Sequence, residues 1–160
     1  MPSQEYLDER RLDEYLAAID KKIIAAGGET WDCLSAPERA TITAYFLALE
    51  MTNGGIEQFF INPAGNRWRE TRDALTTVGA VRLAALFDEA LSVFPNETPS
   101  TDQLTRCRQY EEAGGHAKLL MERLTNEYYD LQEESPTDCL YRILAVFAIK
   151  QLANEQKDGG

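Results

Sequence analysis

Apolar residues recur every three or four positions along most of this chain, and that spacing is typical of helices. In the first segment, residues 4–26, the recurring apolar positions are Leu12, Leu16, Ile19 and Ile23. Because a helical turn takes about 3.6 residues, these side chains share one face. No stretch alternates apolar and polar residues as a half-buried strand would. The pattern therefore predicts an all-α fold.

Glycine and proline separate the apolar segments from one another. Ser35 and Glu38 have the spacing of a capping box, which predicts a helix start, and this helix runs to Gly54 and Gly55. Later helical segments cover residues 56–61, 68–78, 83–94, 101–113 and 116–134, and residues 135–138 are expected to cap a last helix. We therefore predict one domain over residues 1–160, with seven or eight helices, a core from about residue 4 to 153 and a frayed tail from 154 to 160.

The double glycine after residue 53 is predicted to form a corner of the core. Ile42, Phe46 and Leu49 precede Asn53 at helical spacing, so we expect Asn53 to be buried and hydrogen-bonded, and Gly54 or Gly55 to have a positive φ. The large residues expected in the core are Phe46, Leu49, Phe59, Phe60, Leu86, Phe87, Leu124, Leu144 and Phe147.

The same corner carries a spaced motif, made of Glu50, Asn53, Gly54, Gly55, Gln58, Phe59, Phe60 and Asn62. It resembles the signature of a bacterial family of DNA-mimic proteins, the DNA mimic protein nineteen-like family, which was long described as a domain of unknown function. The resemblance continues through Gly65 to Phe94 and Pro95, and covers about residues 30 to 95. It implies a protein that occupies the DNA-binding face of a transcription factor. We interpret the motif itself as structural.

The charge of the chain fits a basic partner. Its net charge is −11, with 27 acidic and 16 basic residues, which argues against direct binding of nucleic acid or of an anionic membrane. Acidity also serves solubility, so charge alone does not assign a function.

Two helix flanks concentrate the acidic residues. Glu127, Asp130 and Glu134 fall within about 60° on one flank of the segment 116–134, and Glu9, Asp13 and Asp20 within about 40° on the first segment. The residues between 111 and 138 are the most acidic stretch. From spacing alone, the predicted partner-binding surface also includes Glu111, Glu112, Glu122 and Glu133.

Two other classes of function remain open. The same acidic surface would suit an immunity or antitoxin-like inhibitor of a basic toxin such as a nuclease. An enzyme built on Glu50, Asn53 and Glu57 would instead need these residues to line one open pocket. The only histidine, His116, has no nucleophile in a recognisable setting, and the cysteines lack metal-binding spacing. We therefore expect a protein that is not an enzyme and needs no cofactor or metal.

Three scattered cysteines, Cys33, Cys107 and Cys139, suggest free thiols in a reducing cytoplasm. The start of the chain is too charged for a signal peptide, and the longest apolar run, residues 143–149, is too short to span a bilayer. Arg67, Arg69 and Arg72 form the one dense basic cluster, which suggests either an anion site or pairing with acidic helices. The oligomeric state stays open, a homodimer included.

Overall fold

A computed structural model of the chain describes residues 1, 3–28, 31–135 and 137–159, without the side chains of residues 5–7. These residues contain six α-helices and no strand, which confirms the all-α prediction. The helices are α1 (Gln4–Ala25), α2 (Ala36–Ile61), α3 (Trp68–Val78), α4 (Val81–Leu91), α5 (Gln103–Glu134) and α6 (Leu140–Asp158), with short 3₁₀ turns at Pro63–Arg67 and Pro95–Glu97.

Helix α2 is the centre of the fold, since α3, α5 and α6 all pack against it and α1 packs mainly against α6. The capping box predicted for α2 is present: the Ser35 hydroxyl accepts from the Glu38 amide, and the Glu38 carboxylate accepts from the Ser35 amide. These two bonds satisfy amides that the first turn leaves without a helical partner. The start of the central helix is therefore fixed locally.

The six helices of the described residues are close to the seven or eight expected. The number is lower because two double glycines bend helices that were predicted to end there. Gly55 in α2 has φ 80° and Gly114 in α5 has φ 74°, while helical geometry continues on both sides. The positive φ predicted for Gly54 or Gly55 is thus confirmed at Gly55. In α5 the segments predicted as two helices form one bent helix.

Four phenyl rings form the middle of the core, with neighbouring ring centroids 5.0–5.4 Å apart: Phe59, Phe60, Phe87 and Phe94. Leu86, Leu124 and Leu144 are also buried, as predicted. Such aromatic pairs add to the stabilisation that comes from burying apolar area.

Three residues predicted for the core lie nearer the surface. Phe46 is 43% exposed and stacks on Trp31, Leu49 is half-buried, and Phe147 packs only against the edge of the core. The reason is that the buried face of α2 is the one carrying Ala44, Leu47, Ala48 and Met51. These residues have helical spacing too, but three of them are small or unbranched and gave a weaker signal than the phenylalanine.

Helix α6 begins and ends differently from expectation. Its N-cap is Cys139, without a side-chain cap, while the Gln132 side chain accepts from the Leu140 amide. Ser135 instead donates to the Asp138 carboxylate, and Pro136 lies outside the described residues. The helix continues to Asp158, so the part of the predicted frayed tail that the structure describes is largely helical, although exposed. No helix in the described part of the chain has the length and apolar character needed to cross a bilayer.

A buried carboxylate connects α1 to the start of α2. Glu38, only 2% exposed, pairs with Lys22 in the last turn of α1. Burial by itself raises the pKa of the Glu38 carboxyl, but the hydrogen bonds from Lys22 and Ser35 outweigh it and hold the pKa below its ordinary value. The ionised carboxylate is therefore the form that the fold favours.

Replacing this carboxylate should make the free energy of unfolding less dependent on pH in the acid range. We expect Glu38→Gln to lower the free energy of unfolding at neutral pH by about 1–3 kcal/mol, because Lys22 loses its charged acceptor. A folded pKa below the unfolded value of 4.5 contributes stability above that pH and loses it as the pH falls through the folded pKa. Urea unfolding of both proteins from pH 7 to pH 3 should thus show their difference shrinking below about pH 4.5. A difference that stays constant would contradict the pairing.

Candidate functional site

The motif segment, residues 56–61 of α2, is held at its beginning by α5. The bend at Gly55 leaves the Ile56 amide without its helical partner, and the Thr125 hydroxyl of α5 accepts from that amide at 3.1 Å. One turn further back, the Tyr129 hydroxyl donates to the Met51 carbonyl at 2.9 Å. A Cβ atom at Gly55 would lie 2.5 Å from the Thr125 side chain. Glycine is therefore required here both by its φ and by the closeness of α5.

The end of the same segment is held by Arg106, from the other half of α5. This side chain is fully buried and donates to the carbonyls of Phe60 at 2.5 Å, Asn62 at 2.8 Å and Ser100 at 2.8 Å. Gln103 adds a bond of 2.9 Å to the Ile61 carbonyl. The last carbonyls of a helix have no helical partner and carry partial negative charge, so a guanidinium is well suited to them. Burial lowers the pKa of Arg106, and these acceptors compensate for the lost water.

Two residues of the spaced motif, Glu50 and Asn62, and the nearby Gly65 also have contacts at this end. Asn62 donates from its side chain to the Glu50 carboxylate at 3.0 Å, which ties the two sides of the bend together. A Cβ atom at Gly65 would lie 2.7 Å from Nε of Arg106, so a larger residue there would displace the guanidinium. Two residues of the spaced motif, Phe60 and Asn62, thus accept hydrogen bonds from Arg106 at the end of α2.

Asn53 differs from its prediction: it is exposed rather than buried. It lies two residues after the buried Met51, which places it about 200° round the helix from the core face. The stripe of Ile42, Phe46 and Leu49 that suggested burial runs beside that face.

The predicted acidic surface lies largely along the outer face of α5. Six of its residues on this helix are exposed and Glu127 is half-buried; the six are Glu111, Glu112, Glu122, Asp130, Glu133 and Glu134. Glu127, Asp130 and Glu134 line one groove between α4 and α5, about 420 Å³ in volume. Its apolar lining comes from Ala85, Leu86 and Leu131. The structure therefore brings together the three carboxylates that spacing had placed on one flank.

Arginines of the chain pair with acids at both ends of this groove. Arg123 binds Glu127 on its own helix and Glu89 on α4. Arg82, which also lines the groove, pairs with Asp138 at 3.3 Å. Asp130 and Glu134 lie between these two ends, and neither forms an ion pair with a residue of the described chain.

The acids of the first helix belong to a separate surface. Glu9, Asp13 and Asp20 are all exposed, but α1 packs on α6 whereas α5 packs on α2 and α4. The two acidic flanks thus lie on helices that do not pack together closely.

The basic cluster does not converge on an anion site. Arg72 pairs with Asp88 through two bonds of 2.6 Å and 2.9 Å, the Arg67 guanidinium stacks on Trp31, and that of Arg69 stacks on Trp68. Each guanidinium therefore has its own intramolecular contact, and of the two readings only the pairing of Arg72 is seen.

The residues of the enzyme alternative are not brought to one pocket. Glu50 lines a cavity of about 430 Å³ with Trp31 and Phe46, but neither Asn53 nor Glu57 lines it. Glu57 lies beside the Tyr110 hydroxyl, whose pKa is raised by burial and then by this carboxylate. Among the described residues, no group of three or more His, Cys, Asp or Glu side chains could hold a metal ion. In this cavity Glu50 therefore has neither Asn53 nor Glu57 beside it as an acid–base partner.

Comparison with known families agrees with the motif. A family model described as DMP19-like protein matches residues 32–151, which is most of the chain. The chain belongs to the DMP19-like family. Searches of curated proteins and of solved structures found no match. The DMP19-like match extends well beyond the motif, through α5 and into α6, and leaves α1 outside.

Sequence reasoning missed Arg106 and Thr125, the two residues of α5 that hold the DMP19-like motif segment. Arg106 lies in a charged, weakly amphipathic segment, where an arginine is usually exposed. Thr125 is a threonine in the middle of a helix. A contact between residues 46 positions apart, such as Arg106 with Phe60, has no periodic trace in the sequence. Only Gly65 gave an indirect signal, as a glycine outside any predicted helix.

Removing the buried guanidinium should destabilise the whole domain. We expect Arg106→Met to lower the free energy of unfolding by at least about 3 kcal/mol, since several buried carbonyls lose a charged donor. Arg108→Met is the matched control: this exposed arginine on the same helix should change stability by no more than about 0.5 kcal/mol. Urea unfolding measures both, and equal losses would contradict the role of Arg106.

The two helix bends allow a second comparison. Gly55 and Gly114 have nearly the same backbone geometry, φ 80°, ψ −169° and φ 74°, ψ −162°, but a Cβ atom at Gly114 would meet no atom within 4 Å. Replacement by alanine costs about 1–3 kcal/mol at either site for the backbone alone. Gly55→Ala should cost about 1–3 kcal/mol more, because of overpacking against Thr125. Thermal unfolding of both variants tests this, and a greater loss for Gly114→Ala would refute it.

Proposed function

We propose that this protein mimics DNA: it occupies the DNA-binding face of a transcription factor or another basic DNA-binding protein and keeps DNA away. Membership of the DMP19-like family supports this proposal. The observation that carries it for this chain is the row of carboxylates on α5, where Glu127, Asp130 and Glu134 line one groove.

The spacing of the row suits a partner surface that binds DNA phosphates. Successive side chains three or four residues apart on a helix lie about 5–6 Å from each other. From Glu127 to Glu134 the helix rises about 10 Å, which gives one charge per about 5 Å. One strand of duplex DNA carries one charge per about 3.4 Å. Before the pairing of Glu127 with Arg123 is counted, the carboxylates of the row therefore have roughly two thirds of the linear charge density of one DNA strand.

The net charge of −11 supports fast association. A protein that carries this charge attracts a basic partner over the Debye length, about 8 Å at physiological salt, and so raises the association rate. The same attraction would serve an inhibitor of a basic nuclease. The captured partner decides between the two: a DNA-binding regulator supports mimicry, while a nuclease blocked at its active site supports the inhibitor.

Neutralising the row on α5 should weaken binding without unfolding the protein. We expect the triple variant Glu127→Gln, Asp130→Asn, Glu134→Gln to bind the partner, isolated by affinity capture from native extract, at least about ten-fold more weakly. Most of the loss should be in the association rate, and the affinity of the wild-type protein should itself fall steeply above about 0.15 M salt. Surface plasmon resonance at two salt concentrations measures both effects.

The matched control is the triple variant Glu9→Gln, Asp13→Asn, Asp20→Asn, which removes the same charge from α1. If it weakens binding as much, net charge rather than the α5 row is responsible. The decisive measurement is competition with labelled duplex DNA for the captured partner. If partner, DNA and this protein form a ternary complex, mimicry is wrong.

A further inference from the structure

Beside the acidic groove, the guanidinium of Arg123 binds two carboxylates, and one of them, that of Glu127, lines the groove. The Nη1 atom of Arg123 binds the Glu127 carboxylate on α5 and its Nη2 atom binds the Glu89 carboxylate on α4. One planar cation thus bridges two carboxylates on neighbouring helices. Paired carboxylates in this geometry favour a guanidinium over an ammonium, because the guanidinium presents several donors in one plane.

The Arg123 side chain is exposed enough to leave this position. Its side chain is 48% exposed, and those of Glu89 and Glu127 are 45% and 42% exposed. Exposed ion pairs of this kind shift an equilibrium by at most about five-fold each. Displacing the Arg123 guanidinium from the two carboxylates therefore costs little free energy, and the released guanidinium can be hydrated at the surface.

We propose that Arg123 occupies, in the free protein, a binding site for an arginine side chain of the partner, and that the partner's guanidinium replaces it between Glu89 and Glu127. This inference rests on the proposed function and names the chemistry of the contact. The neighbouring groove suits the rest of such a side chain: Ala85, Leu86 and Leu131 accept the aliphatic stem. Arg123 thereby weakens partner binding, while the two carboxylates, once free of Arg123, favour a partner that presents arginine over one that presents lysine.

The test uses a fluorescein-labelled octa-arginine peptide and its octa-lysine counterpart, with binding followed by fluorescence anisotropy at 0.15 M salt, about the physiological value. Arg123→Gln removes the intramolecular occupant and leaves both carboxylates in place. We expect this variant to bind octa-arginine about five-fold more tightly than wild type, and to gain less, about two-fold, for octa-lysine.

Arg72→Gln is the matched control. Arg72 is similarly exposed and also bridges two helices, but it binds the single carboxylate of Asp88, so its loss changes net charge equally without opening a two-carboxylate site. Circular dichroism and thermal unfolding check that both variants keep the fold. If the two variants gain equally for octa-arginine, or if Arg123→Gln gains equally for both peptides, the arginine site is wrong.

Failure of this inference differs from failure of the proposed function. Glu89→Gln removes one of the two bridging carboxylates but leaves the Asp130–Glu134 part of the row unchanged. If octa-arginine binds Arg123→Gln more tightly and the Arg123→Gln, Glu89→Gln double variant loses that gain, the site is supported even if DNA and the natural partner bind together. If DNA competition is seen but Arg123→Gln changes nothing, mimicry stands and the site at Arg123 is refuted.

Discussion

The fold depends on how α5 holds one short helical segment, residues 56–61, at both ends. Thr125 accepts from the first amide of the segment and Arg106 donates to the carbonyls at its end. Each contact satisfies a backbone group that the bend at Gly55 or the end of α2 leaves without a partner, and a buried group left unpaired costs about 1–3 kcal/mol. The two halves of α5, on either side of the bend at Gly114, contact opposite ends of the same segment. The phenyl rings of Phe59 and Phe60 are thereby placed at the middle of the core.

This arrangement separates the structural and the proposed binding roles on a single helix. The inner face of α5 carries Arg106, Thr125 and Tyr129, which bind the backbone of α2 or the chain that follows it. Its outer face carries carboxylates that are exposed and mostly without ion pairs in the described chain. Because the outer residues contribute little to packing, the acidic surface can vary while the fold persists. The spaced motif and the proposed binding surface thus consist of different residues.

The arginines next to the groove show that the acidic surface is partly neutralised by the chain itself. Arg123 binds carboxylates of α4 and α5 at one end of the groove. Arg82 of α4 binds Asp138, in the loop after α5, at the other end. Like charges packed on neighbouring helices repel one another, so a few bridging cations hold the row together. The paired carboxylates therefore present less negative charge at the surface than free carboxylates would.

Apolar periodicity and the positions of glycine, proline and capping residues were enough to predict the helical class and α3 at residues 68–78. They also predicted the capping box of Ser35 and Glu38 and the common flank of Glu127, Asp130 and Glu134. All of these depend on contacts within a few residues, where helix geometry fixes the relation between side chains. Whether a double glycine ends a helix or bends it was decided by tertiary structure, since a partner such as Thr125 must supply the missing hydrogen bond. The exposure of Phe46 and Asn53 and the burial of Arg106 were decided in the same way. A helix has several faces with apolar spacing, and only packing against the other helices selects which of them becomes the core.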